Sequence, residues 1–122
     1  MGDFKKLLVW QKAHALALHV HRTAARIRGS QNASLRNQMT RAAQSIAANI
    51  VEGRGQTSER EFARFLGYSL NSASELEHHS ITARDIKAIP ESEFESLIAQ
   101  LTEVRKMVHG LRACLAVPAP HE

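Results

Sequence analysis

The chain has 122 residues, 43% of them hydrophobic and 23% charged, a balance that excludes wholesale disorder and suits one globular domain. Aromatic residues make up only 5% and cysteine occurs once, which excludes an internal disulfide framework; the lone thiol of Cys114 fits a reducing compartment and a semi-buried packing role. The net charge of +4 hides an asymmetry, because residues 1–54 hold nine Lys/Arg against two acids and residues 55–122 hold seven against ten.

The first ten residues, MGDFKKLLVW, contain no apolar run of signal-peptide or membrane-span length, so a soluble cytoplasmic protein without membrane contact is expected. Lys6 also stands where N-myristoylation would need Ser or Thr. A first helix is predicted over 7–28, with Trp10, Ala13, Leu16, Ala17, Val20, Ala24 and Ile27 recurring at spacings of three and four as one apolar stripe. Gly29 then tolerates the positive φ that commonly follows a helix, and Asn32 or Ser34 is the expected N-cap of the next.

The second helix is predicted over 35–52, ending at Gly53. Leu35, Met39, Ala42, Ala43, Ile46 and Ile50 form its apolar stripe, while Gln38, Arg41, Ser45, Asn49 and Glu52 form a polar one about a third of a turn away. Ser58 and Glu61 spell a capping box for a long third helix over 58–87, whose buried positions run Phe62, Phe65, Leu66, small Ser69 and Ala73, Leu76 and Ala83. Ile89-Pro90 interrupts the helical pattern. A fourth helix follows over 91–115, opened by Glu91, Glu93 and Glu95 where the helix dipole favours acids. Phe94, Leu97, Leu101, Val104, Val108, Leu111 and Leu115 line its coiled-coil-like seam.

Four amphipathic helices with short connections predict an all-α, antiparallel up-down-up-down four-helix bundle over residues 1–116, with 117–122 a frayed tail. Trp10, Tyr68, Leu70, Ile81, Ile86, Ile98 and Met107 fall off the main stripes. A small core is not expected to hide them all, so self-association follows from the residues alone.

The stretch Gln38–Gly55, QMTRAAQSIAANIVEGRG, resembles the four-helix-bundle family encoded in intervening sequences of bacterial 23S rRNA genes. Trp10–Ala13, Arg41–Ala43, Ser45, Ile46, Asn49, Ile50, Glu52 and Gly53 carry the resemblance, continued by Ser58, Glu61, Phe62, Phe65, Leu66, Ser72 and Glu75–Glu77. It covers about residues 4–115. The chain departs from the pattern at Ala47, where the family usually has proline, at Asn71-Ser72, where it has Gly-Ser, and at His78-His79-Ser80, which replace an apolar run. The resemblance implies a left-handed antiparallel bundle, assembly as a homopentamer with a central channel, and distant kinship to reverse-transcriptase accessory proteins whose basic pentamers engage nucleic acid. A reverse transcriptase or another protein is therefore an implied partner, and for the rRNA-encoded members no established activity is implied.

Two constellations stand out. Arg22, Arg26, Arg28, Arg36, Arg84 and Lys87 gather at one end of an antiparallel bundle and suit nucleic-acid phosphates, chiefly RNA or DNA read without sequence preference. Their alternative role is to complement helix C-termini at roughly 0.3–1 kcal/mol each. The polar stripe Gln38, Arg41, Ser45, Asn49 and Glu52 is expected to be partly buried, with Arg41 pairing Glu75 or Glu77 to fix helix register or a subunit interface; a ligand pocket is the other reading.

Catalysis has no foothold: no Gly-x-Ser-x-Gly elbow occurs, and Gly53-Arg-Gly55 lacks the lysine and preceding strand of a phosphate loop. Glu75-Leu-Glu-His78 is a single Glu-x-x-His where a di-iron bundle needs two, so no metal or cofactor is expected. The expectation is a non-enzymatic, homo-oligomeric, basic bundle that binds nucleic acid; the alternative is an adaptor that contacts an acidic protein partner.

Overall fold

The spacings of three and four become four helices, α1 (Leu8–Ala25), α2 (Ala33–Arg54), α3 (Glu59–Asp85) and α4 (Glu91–Cys114), with 3-10 turns at Phe4–Lys6 and Ser30–Asn32. The computed structural model describes residues 3–115, and the stretch 117–122, expected to fray, lies outside them. No strand occurs among the described residues.

The helices form a four-helix bundle in which each packs on two others: α1 on α2 and α4, α3 on α2 and α4. Specific contacts fix the directions. Ser69 on α3 meets Ile46 on α2, and Ser72 meets Ser45, so these helices run antiparallel. Thr23 and His19 on α1 meet Glu93 and Gln100 on α4, again in opposite order. The shared interior holds Leu16, Val20, Met39, Ile46, Ile50, Phe62, Leu66, Leu76, Leu97, Leu101, Val104 and Val108, all essentially inaccessible to solvent.

Most of the apolar residues off the stripes find places in this core. Trp10, Leu70, Ile98 and Met107 are partly buried against it, and Trp10 also meets Phe4 edge-on and stacks on His14. Tyr68 and Ile86 remain exposed, joined by Leu8 and Leu18 on α1. Cys114 is exposed rather than semi-buried, because it sits off the α4 seam in the helix's last turn.

The helix ends show local chemistry at work. Helix α1 stops at Ala25, three residues before the expected end, and Gly29 lies beyond it with φ 95°. Asn32, at the N-cap position of α2, donates to the carbonyl of Arg28 and makes no side-chain cap bond to α2. Ser58 caps α3 by accepting from the amide of Glu61, but the reciprocal half of the capping box is absent. The Glu61 carboxylate instead takes Arg64 at 2.7 Å. At the end of α3, Lys87 adopts φ 62° while its amide bonds Arg84 and that of Ala88 bonds Ala83. This is a Schellman closure with lysine where glycine is usual.

Gly53 is a correction to the sequence reading. It does not stop α2, which continues to Arg54; it is buried within the helix. A Cβ there would lie 2.8 Å from Phe62 Cδ1 and 2.9 Å from Phe65 Cβ, so the glycine exists to let α3 approach. In α4 Gly110 would place a Cβ against nothing within 4 Å. Gly110→Ala should therefore stabilise the fold by about 0.5–1 kcal/mol through helix propensity. Gly53→Ala should destabilise it by about 1–3 kcal/mol through overpacking. Urea denaturation of both variants checks the opposed signs.

Candidate functional site

The basic end is built where the α1–α2 and α3–α4 connections meet. The structure brings all six predicted cations to this end but employs half of them in the fold. Arg36 donates from Nη1 to the carbonyls of Ile27 and Gly29, both at 2.9 Å, and so serves the chain leaving α1. Arg84 bonds Asp85 at 3.0 Å and lies 4.3 Å over the Phe94 ring, tying the end of α3 to the start of α4. Arg26 reaches Glu93 at 3.2 Å while staying 65% exposed. Arg22, Arg28 and Lys87 are exposed, and their side chains make no hydrogen bond or ion pair among the described residues. Unpaired cations also stand at the opposite end, where Lys5, Lys6 and Arg60 are exposed and their side chains likewise lack partners among the described residues.

Glu93 does more than face a helix dipole. Its Oε1 accepts from the buried hydroxyl of Thr23, lies 3.0 Å from His19 Nε2 and 3.2 Å from Arg26, and His19 Nδ1 lies 2.7 Å from Gln100 Oε1. The Thr23 bond holds the Glu93 carboxyl below its ordinary pKa; burial opposes this, and His19 and Arg26 add to it. Thr23 falls on the core side of α1, a position the apolar stripe passed over, and Thr23 and His19 together point across to α4.

The polar stripe divides. Gln38, Arg41 and Ser45 from α2 and Ser72, Glu75 and His79 from α3 line one open groove of about 760 Å³, extended by Ser34 and Asn37 toward the basic end. Its floor is a hydroxyl–hydroxyl bond of 2.8 Å from Ser72 to Ser45, and Asn49 braces it by donating to the Ser45 carbonyl and hydroxyl. Glu52 stands exposed beyond the groove.

The predicted pairing of Arg41 is corrected. Glu77 bonds Arg105 on α4 at 2.9 Å, because two helical positions separate it from Glu75 by about 200° and turn it to the other neighbour. Arg41 and Glu75 share the groove, yet Arg41 is exposed and forms no ion pair among the described residues. Burial lowers the pKa of His79, aided by His78 and opposed by Glu75, which favours the neutral ring. Among the described residues no three His, Cys, Asp or Glu side chains are grouped to hold a metal, and no helix is long and apolar enough to cross a membrane.

Residues 5–110 match the family described as 23S rRNA-intervening sequence protein. The fold is similar to the crystal structure of a protein of unknown function from the S23 ribosomal protein family of Bacteroides thetaiotaomicron. That chain is 24% identical, with a TM-score of 0.80 over 86% of this chain and 98% of that one. No curated protein matches.

Because the folded state depresses the Glu93 pKa, the stability it contributes is present above the ordinary value of 4.5 and is lost as pH falls through the lower folded value. Glu93→Gln should cost about 1 kcal/mol at pH 7, between an exposed ion pair and a charge-assisted bond. The variant should also flatten the acid limb of Tm against pH, with the two profiles converging at the acid end.

Proposed function

The chain belongs to the 23S rRNA-intervening sequence protein family, and from that footing we propose that it is a non-enzymatic, self-associating bundle that binds nucleic acid through backbone phosphates. The observation that carries the reading is the set of exposed cations left over after the fold has taken its own. The side chains of Arg22, Arg28 and Lys87 make no ion pair or hydrogen bond among the described residues, and the side chain of Arg26 is 65% exposed beside them. Cations spent on folding would have argued for the capping role alone. Unspent ones release counterions from a polyanion, and each phosphate neutralised steepens the salt dependence by about 0.9 on duplex DNA or about 0.7 on a single strand. The family takes its name from intervening sequences of 23S rRNA, and RNA is the first polyanion to test.

Self-association draws support from α1. Leu8 and Leu18 are 57% and 45% exposed. With Ala15 and Arg22 they occupy an outward arc of about 80° at 100° per residue. An apolar seam beside a cation suits a second copy of the chain, and a ring of copies multiplies the phosphate contacts each subunit makes.

Fluorescence anisotropy with RNA and duplex DNA at two salt concentrations tests the binding. Binding in the low micromolar range that weakens with salt is expected, and Arg28→Ala and Lys87→Ala should each reduce the salt slope by about 1. Absence of salt-sensitive binding overturns the reading. Light scattering should show an oligomer that Leu18→Glu dissociates without loss of helicity; a monomer at the outset removes the assembly claim.

A further inference from the structure

The α2–α3 groove has a chemistry different from the cationic end it adjoins. Phosphate is a poor match for it, because the Glu75 carboxylate faces the same space as Arg41. The wall from α2 offers paired donors and acceptors instead. The Asn37 carboxamide is exposed and without a hydrogen-bond partner among the described residues. Gln38 uses its amide nitrogen on Ser34 at 2.9 Å and leaves its oxygen free, and Arg41 leaves its whole donor fork free. The opposite wall presents the half-buried ring of His79. Carboxamides and a guanidinium match the alternating donors and acceptors along a base edge, and a ring provides a stacking face. The groove opens at Ser34, close along the chain to Arg28, while Lys87 follows two turns beyond His79.

We propose that this groove seats one unpaired nucleobase of a bound strand, with Asn37, Gln38 and Arg41 on its edge and His79 against its face. This rests on the phosphate-binding reading for the rest of the strand and narrows it to strands with an unstacked nucleotide. A paired base has its edge engaged and cannot enter.

The base alone is tested first, by titrating 15N-labelled protein with adenosine and with cytidine, uncharged probes that the cations do not attract, and with ribose as the control. Side-chain signals of Asn37, Gln38 and His79 should move with at least one nucleoside and stay still with ribose. No movement with either nucleoside overturns the groove assignment whatever the polyanion titrations show. Movement without salt-sensitive strand binding upholds it and removes the phosphate reading instead. Second, a short single strand should bind about tenfold more tightly than an abasic strand with equal phosphates. Asn37→Ala with Gln38→Ala should abolish that gap at unchanged helicity. Equal affinity for the two strands in the wild type also overturns the proposal.

Discussion

The close approach of α2 and α3 is the constraint on which the rest of the structure depends. Their contact is the most extensive between any two helices, and small residues make it possible. Gly53 admits Phe62 and Phe65 at one end, while Ala43, Ser69 and Ala73 keep the middle thin. At that distance the buried Ser69 hydroxyl reaches the Ile46 carbonyl at 2.8 Å. The bond uses the second lone pair of a carbonyl already engaged in its own helix, and such bonds add about 1 kcal/mol net. Larger side chains would separate the two backbones and break it.

The same approach shapes the surface. With the backbones close, the side chains flanking the seam splay outward, and Arg41, Glu75 and His79 are left along a groove rather than joined across the contact. The contacts of α4 carry directed polar links as well as core: α1 to α4 by the Glu93 cluster, and α3 to α4 by Glu77 with Arg105 and by Arg84 over Phe94. Lys12, Arg26 and Arg105 are thus engaged across the α4 contacts, whereas the side chains of Arg22, Arg28 and Lys87 are not. That division explains why some cations at the basic end are structural and others are available.

Periodicity carries the fold from sequence to structure because it depends only on which side of each helix is apolar. Leu16, Val20, Ile46, Leu66, Leu97 and Val104 declare their burial by spacing alone. The small residues Ser69 and Ala73 marked close packing in advance. Polar partnerships are another matter, since they depend on which neighbour a given azimuth faces. Glu75 and Glu77 look alike in sequence, but the helix turns one to α2 and the other to α4. Arg36 was counted as a surface cation because nothing in its neighbours shows that the α1 carbonyls would come within its reach. Gly53, followed by Gly55, resembles a helix stop, and only the Phe62 and Phe65 rings reveal it as a contact residue. The cluster of Thr23, His19 and Glu93 joins residues about seventy positions apart, beyond any local pattern. Within the groove, Gln38, Arg41, Ser45 and Glu75 were visible as a set; His79 and Asn37 join it only through the register of the two helices.

Native-state amide hydrogen exchange across all four helices measures the claim about the α2–α3 seam directly, since protection reports the free energy of the opening that exposes each amide. Amides flanking the seam, around Ala43, Ile46, Ser69 and Ala73, should exchange slowest and only through global unfolding, while the outer turns of α1 and α4 open at lower cost. Should the seam amides exchange through local opening while α1 and α4 remain protected, the α2–α3 contact would not be what holds the bundle together.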